Sequence, residues 1–192
     1  MITEEQFKEA AALLKCEIAA VKAVNKVESG GRSSFLADGR PKILFEGHIF
    51  WKELLKLKID PKQHVAGNED ILYPSWILEK VRPFYRLDQH VRLAKARLIN
   101  QDAANKSASW GAFQIMGNNH AACGYAKVAD FVAAQTDEYK QLLCFCTYLK
   151  STHIDLHLQH LDWKGFARAY NGADYAKNQY DTKLQAAYLN FK

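Results

Sequence analysis

Glu28 stands directly before a Ser29-Gly30-Gly31 break, at the end of the apolar stretch that begins near Ile18. It follows Asn25 by three residues, Val24 by four and Val21 by seven. On a helix those spacings put the carboxyl on one stripe with two apolar side chains. A charge is costly there, because an apolar surround does not solvate it. Desolvation disfavours the ionised form, so a carboxyl in that position holds its proton to higher pH than a solvated one. A general acid working near neutral pH needs that property. Gly30 and Gly31 would let a ligand approach the backbone closely.

Two more stretches carry groups suited to chemistry. The first is Ser109-Trp110-Gly111-Ala112-Phe113-Gln114-Ile115-Met116-Gly117, and the second is Ala167-Arg168-Ala169-Tyr170-Asn171-Gly172. Gln114, Tyr170 and Asn171 offer amide and hydroxyl groups that can hydrogen-bond a polar ligand. Trp110 or Phe113 could stack on a flat ligand face, with core packing the stronger reading for Phe113. Ser29 and Ser109 are candidate polar residues of a cleft. Each stretch alone also has a structural reading. Glu28 could close a helix beside a cation, the aromatic run could be core, and Tyr170-Asn171 could cap a helix.

In this order the three stretches resemble the goose-type lysozyme and lytic transglycosylase group of peptidoglycan-cleaving enzymes. The matching elements are Glu28-Ser29, Gly111-Ala112-Phe113-Gln114-Ile115 and Ala169-Tyr170-Asn171. The gap from Glu28 to Gly111 is longer than in the compact transglycosylases. Its contents, FLADGRPKILFEGHIFWKEL, and the C-terminal WKGFARAYNGADYAKNQYDTKL resemble the N-acetylmuramidase family of phage endolysins. The likeness covers nearly the whole chain. It implies a mainly α, lysozyme-like domain with a small β-hairpin and a substrate cleft. It also implies cleavage of the bond between N-acetylmuramic acid and N-acetylglucosamine, with Glu28 as acid and with no metal or organic cofactor. A lytic transglycosylase and a non-catalytic glycan-binding module are the alternatives.

Glu46 has two readings of equal weight. It could be a second carboxylate in the cleft, where a retaining enzyme needs roughly 5 Å between carboxyls and an inverting one roughly 6.5–9.5 Å. It could instead begin the next helix, where negative charge suits the dipole. Asp38 reads as a turn former.

The elements that position these groups are predicted to be mostly helical. The chain has 192 residues, 48% of them hydrophobic, with only 4 prolines and 10 glycines to interrupt it. One catalytic domain over residues 1–192 is expected, with no separate wall-binding domain and acting as a monomer. Thr3 and Gln6 form a capping-box signature for a helix over about 4–15, and a second helix is predicted over about 18–29. Asp38-Gly39 predicts a hairpin near 35–45, with Pro41 confining its second strand to an edge. Residues 58–75 read as an irregular loop, and 85–108 as one amphipathic helix with a basic face. Two helices are expected over 128–161, and two more with a loop around Gly172 close the chain.

The net charge of +5 favours anionic polymers without choosing between nucleic acid, cell-wall glycan and lipid. Arg86, Arg92, Lys95 and Arg97 are expected on a solvated basic face with weak attraction to an acidic envelope, and no nucleic-acid motif accompanies them. His153, His157 and His160 share a helical spacing that could bind zinc, but Ile154 occupies the glutamate position of a His-Glu-x-x-His motif, so a partly solvated face is preferred. Cys16, Cys123, Cys144 and Cys146 read as free, mostly buried thiols. The acidic N-terminus does not read as a signal peptide, and no apolar run reaches transmembrane length. The expected place of synthesis is therefore the host cytoplasm, with another route to the wall.

Overall fold

The computed structural model describes residues 1–31 and 33–192. Helix α1 (Glu4–Leu14) starts from the Thr3–Gln6 capping box, both halves of which form. Helix α2 (Ile18–Glu28) buries Ala19, Ala20, Val21, Ala23 and Val24 against α1 and against the last helix, α11 (Tyr180–Phe191). It stops where Gly30 and Gly31 turn left-handed, at φ 60° and 67°. A Cβ at either glycine would meet no atom, so the requirement there is the backbone angle itself.

Three short strands form one antiparallel sheet in the order β1-β2-β3: Ile43–Phe45, Ala108–Trp110 and Ile115–Met116. Leu44 opposes Ser109, and Trp110 opposes Ile115. The Asp38-Gly39 turn forms, and Phe35 bridges Pro41 across it. That hairpin is minimal. The longer ladder joins β1 to β2, a distant partner that local spacing does not announce, and leaves β1 at the edge as Pro41 implies.

The helices that follow are α3 (Gly47–Lys56), α4 (Leu78–Val81), α5 (Gln89–Arg97), α6 (Gln101–Lys106), α7 (Val128–Ala134), α8 (Glu138–Ser151), α9 (Asp155–Gln159) and α10 (Trp163–Asn171). The single helix expected over 85–108 is two. Asn100 leaves the helical region at φ −158°, and its side chain accepts from Ala103 N–H to start α6. Phe45, Phe50, Phe131, Phe145 and Phe166 are fully buried in a core shared by the helices and the sheet.

The basic face expected on α5 does not exist as an open surface. Arg92 is 1% exposed and donates to the carbonyls of Phe45 and Asp70, tying the 58–75 loop to β1. Lys95 pairs with Asp70 at 2.6 Å, and Arg97 donates to Asn105 Oδ1 at 2.9 Å. Arg86 alone of the four is well exposed. The three histidines also part company. His153 sits in a turn at φ 59° before α9, His157 meets Asp162, and His160 bonds the Leu156 carbonyl. All four cysteines are free; Cys123, Cys144 and Cys146 are buried and Cys16 is half-buried. Among the described residues no helix is long and apolar enough to cross a membrane.

Candidate active site

Glu28 ends α2 with its carboxyl at the junction of two cavities. One, of about 650 Å³, runs past Ser29, Lys42, Ile43, Leu44, Arg86, His90 and Gln114. The other, of about 330 Å³, runs past Phe113, Ile115, Asn119, Tyr148, Tyr170, Asn171 and Tyr180. Both share Ala112 and Gln114 with Glu28. The two halves form a groove with the carboxyl between them, which suits a linear polymer lying across the acid.

Burial raises the Glu28 carboxyl from 4.5 to about 7, with the Asn171 amide opposing part of the rise. Asn171 Nδ2 donates to both carboxylate oxygens, at 3.2 and 3.4 Å. Its Oδ1 is buried without a partner. A reversed amide has the same shape. In that orientation Asn171 would accept the O–H of a protonated Glu28, so each charge state of the acid has a partner.

The β2–β3 turn brings Gln114 to the groove. Gly111 takes φ 70°, and a Cβ there would stand 2.6 Å from the Gln141 side chain. Gln141 is buried and accepts Ala112 N–H at 2.8 Å, while its own amide donates to the Gln135 carbonyl. Gln114 follows at φ 49°, an uncommon angle for a residue with a Cβ. Its Oε1 accepts from Ser109 Oγ at 2.7 Å, and its Nε2 donates to the Gly111 carbonyl at 2.8 Å. Ser109 therefore reaches the groove through Gln114, being itself buried.

Two candidates are placed otherwise than their residue types suggested. Trp110 is 3% exposed, and its indole N–H donates to the Asn105 carbonyl, so it is core and offers no face to a sugar. Tyr170 packs among Phe145, Phe166 and Tyr148, and its hydroxyl donates to the Phe113 carbonyl at 2.7 Å. It braces the β2–β3 turn against α10 and lines the smaller cavity with its ring. Phe113 stacks on Phe145 at 4.2 Å. Ser29 lines the groove and holds the turn after α2, accepting Gly31 N–H.

Glu46 occupies the N-cap position of α3, where its carbonyl accepts Ile49 and Phe50 N–H, but its side chain makes no capping bond. Tyr85 donates its hydroxyl proton to Glu46 Oε2 at 3.0 Å. Burial raises the Glu46 carboxyl, against opposition from the Tyr85 bond and the Arg92 charge. His48 Nδ1 lies 3.5 Å from the same oxygen without hydrogen-bond geometry. Burial holds His48 below its usual range, so this contact is not an ion pair. Glu46 lines neither cavity that holds Glu28, as described. The second carboxylate in the larger cavity is Asp88, which caps α5 through His90 and Val91 N–H and is kept ionised by those bonds. Sequence reasoning missed Lys42, Arg86, His90 and Tyr180. Lys42 and Tyr180 lie inside stretches that carry the family likeness but have no chemical signature of their own, and the four meet near Glu28 only when β1, the start of α5 and the start of α11 fold toward the end of α2.

A family model described as Muramidase, N-acetylmuramidase, matches residues 17–192. The crystal structure of a Burkholderia AP3 phage endolysin is similar, with a TM-score of 0.88 and 36% identity, over 98% of this chain and 71% of that one. No curated protein matches.

Proposed function

The chain belongs to the N-acetylmuramidase family, and we propose that it is an endolysin-type lysozyme. On this reading it hydrolyses the β-1,4 bond between N-acetylmuramic acid and N-acetylglucosamine and acts as one catalytic unit. The observation that carries the reading is Glu28: a carboxyl raised to about 7 at the midpoint of a two-sided groove. The similar solved structure is titled as a phage endolysin, which supports the lytic role.

Glu28 gives its proton to the glycosidic oxygen as the bond from that oxygen to the anomeric carbon breaks. The leaving sugar departs with a free hydroxyl, and positive charge builds on the remaining ring. Water adds to the anomeric carbon, and its spare proton returns to the Glu28 carboxylate or to solvent. Asn171 orients the carboxyl throughout, and Gln114 is placed to meet substrate hydroxyl or N-acetyl groups. Glu46 is engaged by Tyr85 outside the groove and Asp88 is committed to capping α5, which favours a route with one catalytic carboxyl.

That route also suits a transglycosylase, in which the muramic acid's own hydroxyl replaces water. Mass analysis of digested wall separates the outcomes. Hydrated reducing ends are expected. Anhydro ends would replace hydrolysis by transglycosylation, and the absence of cut glycan would leave a binding module.

A further inference from the structure

We propose that Trp76, held by Tyr85 and Glu46 beside the groove, is a stacking subsite for a distal sugar of the glycan strand. The proposal rests on the glycan-cleaving reading above and extends it beyond the sugars around Glu28.

Trp76 is half-exposed at 50%, whereas Trp110 and Trp163 are buried and Trp51 is partly buried. An exposed indole normally turns its N–H to water. Here the N–H donates to Tyr85 Oη at 2.6 Å, and Tyr85 passes its own proton to Glu46 Oε2 at 3.0 Å. The relay consumes the polar handle of the ring and fixes its orientation, leaving an apolar face ordered before any ligand arrives. Pre-ordering of this kind lowers the entropic cost of binding.

Along the chain, both anchors of the relay adjoin residues that line the groove. Tyr85 is followed by Arg86 and Leu87, and Glu46 ends the run begun by Ile43 and Leu44; all four of these neighbours line the larger cavity. Ile77, next in the chain to Trp76, and Leu87, which lines the larger cavity, are also exposed, at 41% and 48%. The occupant that fits is a pyranose. Its C–H face is apolar and flat enough to lie on an indole, and its hydroxyls stay in water at the rim. A glycan strand that threads past Glu28 supplies such a ring further along the same polymer. The arrangement gives Glu46 a task that needs no contact with the reacting bond: it is a positioning residue for Tyr85 and, through it, Trp76.

The test uses the full chain. In a Glu28→Gln background, which binds without cutting, peptide-free peptidoglycan strands should blue-shift the tryptophan emission and shield it from acrylamide. A disaccharide should do neither. In the wild-type background Trp76→Ala should raise KM for long strands about two- to tenfold, the range of a single aromatic stacking contact, with kcat unchanged. Trp76→Phe should recover most of the loss. Tyr85→Phe and Glu46→Gln, which cut the relay but keep the ring, should give smaller rises in KM. Unchanged KM in Trp76→Ala with normal cleavage would overturn the subsite and leave the muramidase reading intact. Absence of any cleavage by the wild type would instead defeat the muramidase reading. A change in molecular mass on Trp76→Ala, without a change in strand affinity, would assign the face to self-association and also overturn the proposal. Trp76 is half in solvent, so the variant should melt as the wild type does, and circular dichroism checks this.

Discussion

With its carboxyl at about 7, Glu28 is close to half protonated in neutral solution, and its activity should follow that proton. Cleavage should be steady below about pH 7 and fall about tenfold per unit above it. A pH–rate profile of kcat/KM on soluble strands measures this. Glu28→Gln keeps the shape and loses the acid, so the rate should drop by about 10²–10⁴-fold in a folded protein. The same shift has a stability consequence of opposite sign to that of a salt-bridged carboxylate. Between 4.5 and about 7 the folded chain holds a proton that the unfolded chain has lost. The contribution is fully present below 4.5 and is lost as pH rises through about 7, by up to about 3 kcal/mol before solvent screening. Glu28→Gln carries no such penalty. Its melting temperature relative to wild type should therefore climb over that window and level off above it. A constant difference across pH would mean that burial does not perturb the acid.

At the scale of elements, the helix ending in Glu28 was legible because its apolar stripe and its two closing glycines are local signals, as is the capping box that starts α1 before it. The β2–β3 turn was legible only as a motif. Its purpose appears when Gln141 of α8 and Tyr170 of α10 reach it from elsewhere, one at Ala112 N–H and the other at the Phe113 carbonyl. The same limit explains Arg92. Its spacing says surface, but the Phe45 and Asp70 carbonyls bury it, and neither could be located from α5 alone. Trp110 was misread for a related reason: an aromatic beside a catalytic motif looks available until its strand proves to be the central one. The turn supplies a prediction of its own. Gly111→Ala adds a methyl against Gln141 at a backbone angle that favours glycine. It should cost about 1–3 kcal/mol by overpacking, and it should lower cleavage further by displacing Gln114. Calorimetric melting and strand turnover measure the two effects separately. A variant that melts and cleaves as the wild type does would show that the Gln141 clamp does not set the turn.

Over the whole molecule the excess charge of +5 survives as a general property, although the helix face expected to concentrate it is neutralised by burial and pairing. Among the described residues, the lysine and arginine that line the larger cavity are Lys42 and Arg86, together with the carboxyls of Glu28 and Asp88. Attraction to an anionic wall should therefore act at the groove mouth and be screened over about 8–10 Å at physiological salt. Clearance of whole wall should weaken as salt rises from low values, while cleavage of a neutral N-acetylglucosamine oligomer should change little. Arg86→Gln should flatten the salt dependence on wall, because it removes an exposed charge beside the substrate. Lys95→Gln should leave the salt dependence as it is and lower the melting temperature instead, because Lys95 is spent on Asp70 and the Gly67 carbonyl. The pair of variants distinguishes a local charge from a global one. Equal flattening by both would return the effect to net charge, and an identical salt response on wall and on neutral oligomer would remove electrostatics from wall recognition.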